Sequence, residues 1–274
     1  MKSRVIPFVV SVLASTIAVG AQAQSFQFQT DADYYQVNLG KGLFNEIGLA
    51  EADLNTVQIR QKYFLDALQN GDNQPWQEAA FLNRSSSVNL SYTRTSIDFS
   101  NADVTNNSWG VGGEYMSNDH NFYGALDVSF LNGDNSFATT GKLGYFVQQN
   151  WLVALDVYHT NLDGEGSQTD YGLSTKAILP VMNGDHLVLT ASVADFEEGD
   201  GHTIAADYYL RPFWSVGLAL RSDMPSMPNV FGDSVEVRSE YFVMPQLALR
   251  GSVSRIDVGA GDENQFAVGA SYRF

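Results

Sequence analysis

The sequence contains no cysteine, few prolines and few basic residues: 7 prolines and 15 Lys and Arg residues stand beside 31 Asp and Glu residues in a chain of 274. Without cysteine the fold does not depend on disulfides, so the class of disulfide scaffolds is excluded. The formal net charge of −16 argues against a nucleic-acid partner, because phosphates repel such a surface. Beyond residue 20 no apolar run approaches the roughly 20 residues that a membrane-spanning helix needs, which excludes helical spanning.

The N-terminus has the three regions of a secretory signal peptide. Lys2 and Arg4 supply a basic start, an apolar stretch runs from Val5 to Gly20, and Ala21-Gln22-Ala23 follows with small residues. We expect residues 1–23 to be the signal peptide, with cleavage after Ala23, and residues 24–274 to form one exported domain. No composition break or Pro/Ser-rich linker divides that remainder.

The C-terminal segment alternates with a period of two, which is the period of a β-strand. One face carries Phe266, Val268, Ala270, Tyr272 and Phe274. An aromatic ring beside a free carboxylate does not suit a strand end that faces water, so we expect this strand to close a sheet. The pattern resembles the C-terminal signal by which the assembly machinery recognises bacterial outer-membrane β-barrels.

Short alternating segments separated by turn residues follow one another along the rest of the chain. The clearest pair covers residues 143–147 and 151–157, on either side of the short link 148–150. Short links alternate with longer acidic, glycine-rich loops, and a longer connection, 66–86, is placed on the same side as the chain ends. The prediction is an all-β fold: a transmembrane antiparallel up-and-down β-barrel of about 14 strands, with 12 as the alternative count.

Periodicity alone does not separate such a barrel from a soluble β-sandwich. The positions of aromatic residues favour the barrel, because girdles of Trp, Tyr and Phe belong at strand ends on the lipid-facing side. The aromatic residues expected there are Trp109, Phe122, Trp151, Tyr171, Trp214 and Phe274. In the first strand the same interpretation puts Tyr35, Val37 and Leu39 on the apolar face.

If the apolar faces meet lipid, the charged residues between them point into the lumen. The predicted pore-lining residues are Arg60, Lys62, Glu114, Asp127, Lys142, Asp156, Lys176, Asp207, Arg221, Glu236, Arg238, Glu240 and Arg250. Burying so many ions without water costs several kcal/mol each even when they are paired. A hydrated channel is therefore favoured, and a sealed ion-pair network is the alternative. With the lining nearly balanced and the loops acidic, we expect a mild preference for cations.

A family resemblance is carried by several stretches together. Lys62-Tyr63-Phe64, followed by Glu78, by Asn83-Arg84-Ser85-Ser86 and by a tyrosine-rich strand, resembles a porin family of Gram-negative, marine gammaproteobacterial outer-membrane β-barrels. The resemblance implies a water-filled channel in the cell outer membrane for passive diffusion of ions and small hydrophilic solutes. The expected partners are these solutes, outer-membrane lipid with lipopolysaccharide, and the barrel-assembly machinery. Enzyme activity, a cofactor and a metal are not expected.

Three other functions stay open. Outer-membrane proteases place His and Asp pairs at the exterior rim, where His159 and His202 are expected, whereas His120 and His186 fall at the opposite turns. A non-conducting structural barrel is the second alternative. A transporter of hydrophobic ligands is the third, but one of the fatty-acid type needs an N-terminal hatch, for which the segment before the first strand is too short. Acids in the long loops either bind divalent cations that bridge lipopolysaccharide phosphates or form a solvated surface. These loop acids are Asp163, Glu165, Glu197, Glu198, Asp200, Asp262 and Glu263.

Overall fold

Fourteen antiparallel strands pair in chain order and close into a barrel in the computed structural model. The structure describes residues 25–39, 52–99, 103–131, 135–164, 166–196, 199–222, 233–257 and 262–274, so the predicted signal peptide lies outside the described residues. The strands are β1 (Ser25–Leu39), β2 (Ala52–Gln69), β3 (Ser87–Phe99), β4 (Asp103–Met116), β5 (Phe122–Leu131), β6 (Phe137–Gln148), β7 (Trp151–Leu162), β8 (Gly166–Pro180), β9 (His186–Phe196), β10 (Gly199–Arg211), β11 (Trp214–Ser222), β12 (Ser234–Met244), β13 (Leu247–Asp257) and β14 (Asp262–Arg273).

The barrel closes where β1 pairs with β14, in a register that runs from Gln29 opposite Arg273 to Val37 opposite Gln265. In the described residues each strand therefore pairs with a neighbour on both sides, which a sheet in hydrocarbon requires because lipid offers no hydrogen-bond partners. The predicted all-β, up-and-down barrel of 14 strands is confirmed, and the alternative count of 12 is wrong.

The two ends of the barrel differ. At one end, which we call the turn rim, lie both ends of the described chain, five short turns and the long connection 70–86. At the other end, the loop rim, each connection includes residues outside the described ranges. Two short helical turns precede β3, a 3₁₀ turn (Trp76–Glu78) and α1 (Ala79–Leu82), and a 3₁₀ turn (Met182–Gly184) precedes β9. In the described part of the chain, no helix has the length and apolar character to cross a membrane.

Over most of the wall, large apolar side chains are exposed on the outer face and polar side chains point inward. Leu90, Leu126, Leu143 and Val268 are each more than half exposed. Such a surface in water would be a severe liability, and it fits a lipid environment. The six predicted girdle aromatics are all exposed on this face: Trp109, Phe122, Trp151, Tyr171, Trp214 and Phe274.

Trp109 lies in the middle of β4 and not at its end, because β1–β4 continue beyond the apolar band toward the loop rim. Its ring contacts that of Tyr92 on the outer face, with 4.6 Å between centroids. Beyond this pair the outward side chains become polar. We call this part of the wall the extension; it comprises residues 34–39, 52–57, 93–99 and 103–108.

The outer face of the extension carries hydrogen bonds between neighbouring strands. The Tyr34 hydroxyl donates to Asn55 Oδ1 at 2.6 Å, and Asn55 Nδ2 donates to Asp98 at 3.5 Å. The Tyr92 hydroxyl donates to Asn107 Oδ1 at 2.8 Å. Polar groups that hydrogen-bond to one another and to water are expected outside the hydrocarbon layer, so the extension stands above the membrane.

The inner face of the extension is apolar. Val37, Ala52 and Ile256 form a buried cluster, against which Leu54, Ile97 and Phe99 pack. The predicted lipid-facing side of β1 is therefore wrong, because Tyr35 and Val37 point inward; the side chain of Leu39 lies outside the described residues. The alternation with a period of two in β1 is correctly predicted. Its apolar face points inward because this part of the sheet meets water, and not lipid, on its outer side.

Candidate functional site: the barrel lumen

The thirteen predicted pore-lining residues all lie on the inner face of the wall, in register with one another on neighbouring strands. They are Arg60, Lys62, Glu114, Asp127, Lys142, Asp156, Lys176, Asp207, Arg221, Glu236, Arg238, Glu240 and Arg250. The alternation of each strand puts them opposite to the exposed apolar residues. That they line a conducting pore stays a prediction.

Four ion pairs join members of this set. Lys62 Nζ lies 3.5 Å from Glu114 and Lys142 Nζ lies 3.1 Å from Asp156. The other two are Arg221 with Glu236 at 2.7 Å and Arg238 with Asp207 at 2.6 Å. Most of these side chains keep part of their surface open to solvent, which lowers the desolvation cost of holding charges inside the barrel.

Two further cations of the set pair with acids that sequence reasoning did not place in the lumen. Arg250 contacts Asp31 at 3.2 Å and Asp33 at 2.9 Å, and Lys176 contacts Glu78 at 2.5 Å. Asp31 and Asp33 have the spacing of one strand face, but the first alternating segment predicted from the sequence begins at Tyr35, after both of them. Glu78 lies in a connection between strands, where no alternating pattern predicts the direction in which a side chain points.

Three lumen contacts reach over a glycine on the strand between the two partners. The triples are Arg238–Gly217–Asp207, Arg250–Gly269–Asp33 and Asn89–Gly112–Asp127. Arg238 donates to both carboxylate oxygens of Asp207, at 2.8 and 2.6 Å, and Arg250 does the same with Asp33, at 2.9 and 3.0 Å. In the third triple Asn89 donates to Asp127 at 3.2 Å.

The glycines make these contacts sterically possible. A Cβ built at Gly217, Gly269 or Gly112 would overlap the Oδ1 atom of the aspartate in its own triple. By contrast, Gly141 on β6 has open space where its Cβ would lie. We call the three arrangements glycine-spanned bridges. Two of them pair an arginine with an aspartate, and all three hold the aspartate against the wall, so that the space in front of them stays open.

A cavity of about 400 Å³, which we call the chamber, lies in front of two of these bridges. Arg60, Glu236 and Glu240 line it together with the bridge residues, and Gln77 and Glu78 form its floor. A second cavity of about 310 Å³ adjoins it at Gln58 and Arg60 and continues to Lys62 and Glu114. Arg60 is exposed although it points inward, so this part of the lumen is open to solvent.

The floor of the chamber belongs to the connection 70–86, which folds into the turn rim of the lumen; we call it the plug. Its Trp76 ring lies 5.7 Å from that of Phe213 and 5.5 Å from that of Phe242. On the opposite side of the lumen, Phe81 packs against Phe146 at 5.4 Å. Inward apolar residues of seven strands, β4 to β10, complete this cluster: Met116, Tyr123, Phe146, Leu152, Ala154, Ile178, Val188 and Tyr209.

Hydrogen bonds tie the plug to the turns around it. Trp76 N donates to Pro212 O at 2.8 Å and Asn70 Nδ2 donates to Pro245 O at 3.0 Å. Arg84 donates to Asn121 Oδ1 at 2.5 Å, and its guanidinium stacks 4.2 Å from the Phe146 ring centroid. The predicted position of this connection beside the chain ends is thus observed, but its entry into the lumen was not predicted.

Arg273, the penultimate residue, holds the plug from the other side. Its guanidinium is buried between the rings of Phe26 and Phe242, at 4.7 and 4.6 Å from their centroids. It donates to the Trp76 carbonyl at 3.0 Å and to Gln77 Oε1 at 3.0 Å. Sequence reasoning missed this role, because an arginine on the polar face of a closing strand carries no sign of what it contacts.

The predicted assembly residues, Phe266, Val268, Ala270, Tyr272 and Phe274, alternate outward on β14. Phe274 stacks on Phe28, with 5.4 Å between ring centroids, and its carbonyl accepts backbone hydrogen bonds from Gln27 and Phe28. The terminal residue therefore extends the β1–β14 ladder by one step. Recognition by the assembly machinery stays a prediction.

The rim histidines lie on the outer wall. His159 contacts the Thr169 hydroxyl at 2.8 Å, and His202 contacts the Ser222 hydroxyl at 2.6 Å. Glu165, Glu197 and Glu198 lie outside the described residues, and Asp262 is paired with Arg255. Across the ranges that the structure describes, no group of three or more His, Asp or Glu side chains is arranged to hold a metal ion.

A closed barrel with an apolar outer wall and a solvent-open charged lumen defines the class of bacterial outer-membrane channel barrels. Residues 4–171 match a protein family described as "Putative general bacterial porin", and the chain belongs to that family. It is an outer-membrane porin.

One solved structure agrees with the fold. The outer membrane protein Omp33 of Acinetobacter baumannii is 18% identical, with a TM-score of 0.71, and the match covers 92% of this chain and 100% of that one. OprB of Pseudomonas putida matches with a TM-score of 0.49 and 9% identity over 92% of this chain and 94% of that one. A mutant Rh. blastica porin matches with a TM-score of 0.44 and 8% identity, and the match covers 90% of this chain and 99% of that one. No curated protein sequence matches the chain.

Proposed function

We propose that this porin conducts small hydrophilic solutes and ions through the chamber, with the loop rim outside the cell and the turn rim in the periplasm. The observation that carries the proposal is Arg60, an exposed guanidinium on the inner wall of a closed barrel. A sealed network would leave no exposed charge inside. The plug narrows the periplasmic end of the path.

The charge distribution supports a wet lumen over a sealed one. Six lumen cations have carboxylate partners, but these pairs lie along the wall and leave two adjoining cavities in front of them. Charges in hydrated cavities avoid most of the penalty of several kcal/mol per ion that a dry interior imposes.

A channel without catalytic function is favoured over a rim protease by the direction of the histidines. His159 and His202 belong to the outer face, in register with Thr169 and Ser222, and not to the mouth of the lumen. An enzyme that cleaves a substrate at the mouth needs its general base within hydrogen-bond reach of that substrate.

The proposal includes export and assembly. Residues 1–23 act as a cleaved signal peptide, and the outward face of β14 is the signal for the assembly machinery. The apolar band with its aromatic girdles contacts outer-membrane lipid, and the polar extension stands at the level of lipopolysaccharide head groups. These assignments follow from charge and apolarity along the wall.

Planar-bilayer recording of refolded residues 24–274 tests the proposal. We expect stepwise conductance with a mild cation preference that weakens as salt rises, because acidic loops concentrate cations only within a Debye length of about 8 Å at physiological salt. Replacing Glu197, Glu198 and Asp200 together by their amides should reduce the preference. Asp103→Asn, on the outer face of the extension, is the matched control.

The plug gives a second readout in the same recordings. Glu78→Gln removes the ion pair with Lys176, so the plug is held less firmly and the mean conductance should rise. A barrel that folds, shown by heat-modifiable electrophoresis, but passes no current in either form would contradict the proposed function. Clear anion preference at low salt would show instead that the lumen arginines dominate the field.

A further inference from the structure

Two ionisable side chains of the chamber have no ion-pair or hydrogen-bond partner in the described ranges. Arg238 and Arg250 are engaged in glycine-spanned bridges, whereas Arg60 makes no hydrogen bond or ion pair with any residue in the described ranges. Glu240 is the corresponding acid: within those same ranges its carboxylate has no partner, and its Oε1 atom is buried. Both side chains line the chamber.

The two arginines beside Glu240 form their hydrogen bonds with other residues. Arg250 lies directly opposite on β13, but its guanidinium is turned to Asp31 and Asp33 on β1. Arg273 is committed to Gln29 and to the plug. A carboxylate in a partly dehydrated wall without a hydrogen bond costs free energy, so the site is arranged for a donor that arrives from the chamber.

Arg60 and Glu240 do not neutralise each other. They lie on β2 and β12, four strands apart around the wall, which corresponds to about 19 Å of arc at a spacing of about 4.8 Å per strand. Both side chains line the same chamber of about 400 Å³. A solute that fits this volume and carries a positive group at one end and a negative group at the other can contact both.

We propose that the chamber binds zwitterionic solutes of amino-acid to dipeptide size, with the carboxylate at Arg60 and the ammonium group at Glu240. The inference deepens the proposed function, on which it rests, by naming a substrate class. Arg60 offers the forked donor geometry that suits a carboxylate. The remaining charged groups of the chamber are paired, so a neutral or singly charged solute gains less there than a zwitterion.

Saturation-transfer NMR of dialanine with the refolded barrel in detergent micelles tests the inference, because it measures weak binding without needing current. We expect saturable binding to the wild type, and Arg60→Gln and Glu240→Gln should each raise Kd roughly tenfold, as the loss of one charge-assisted hydrogen bond predicts. N-acetyl-alanine amide, of similar size but uncharged, should show no saturable signal.

Arg94→Gln is the matched control, because Arg94 is an exposed arginine on the outer face of β3. It should leave Kd unchanged. Absence of saturable dialanine binding to the wild type would overturn the inference, and so would equal Kd values for Arg60→Gln and the control. If Glu240→Gln fails to fold, Arg60→Gln alone decides. If dialanine does not bind saturably but the barrel still conducts, the proposed substrate class is contradicted while the proposed porin function is not.

Discussion

The apolar band and the extension are built from the same strands but with opposite polarity. In the band, outward residues such as Leu90 are exposed and apolar, and inward residues such as Arg60 are charged. In the extension, Val37 and Ala52 are buried inside, and Asn55 and Asp98 form a hydrogen bond on the outside. The same strand therefore has its apolar side chains on the outer face in the band and on the inner face in the extension. The difference shows that the medium outside the wall decides which face is apolar.

The largest effect is expected from a charge placed on the outer face of the band. Leu143→Arg puts a cation near the middle of the apolar surface and should lower the free energy of unfolding by about 2–4 kcal/mol. Thr105→Arg, at an exposed position on the outer face of the extension, should change it by less than about 0.5 kcal/mol. Denaturant titration of both variants in lipid vesicles measures the difference. Equal costs would mean that the extension also lies in lipid.

The next effect concerns the inner face of the extension. Ile256→Ala removes buried methyl groups from the cluster with Val37 and Ala52 and should cost about 2 kcal/mol, near the lower end for such truncations because the cluster lies close to the rim. The loss should be local, so hydrogen exchange in residues 34–37 and 252–256 should accelerate while the amides of the band stay protected. Unchanged protection in the extension would show that the cluster does not hold it together.

The smallest effect tests how the band accommodates charge on its inner face. Gly217→Ala forces Asp207 away from Arg238 and should cost about 1–2 kcal/mol, because both side chains keep some contact with solvent. Gly141→Ala meets open space and serves as the control. Thermal unfolding in micelles compares the two. A loss of the same size for both would mean that backbone effects of glycine, and not the bridge, set the cost.

Sequence reasoning recovered the barrel because each strand pairs with its neighbours in the chain and alternates with a period of two. For the same reason, the predicted pore-lining residues include both members of four ion pairs, because the register aligns residues such as Lys142 and Asp156. It failed at β1, where Val37 belongs to the inverted extension, and so it missed Asp31 and Asp33. Period two tells which residues share a face, but not which face meets water.

The plug could not be predicted by such reasoning. Residues 70–86 contain little strand pattern, and their position depends on contacts far away in the chain, such as Trp76 with Pro212 and Phe81 with Phe146. The shape of the chamber also depends on these distant contacts, because Gln77 and Glu78 of the plug form its floor. Strand periodicity describes the wall, whereas the lumen is shaped by an irregular segment that folds against it.

Arg273 couples the seam of the barrel to the plug. It lies on β14, the strand that closes the ring against β1, and it donates to Trp76 and Gln77 in the plug. The plug is also tied to the turns at Pro212 and Pro245, so Arg273 adds to contacts that other strands supply. Slippage of the register at the seam would therefore also loosen one side of what lies inside the barrel.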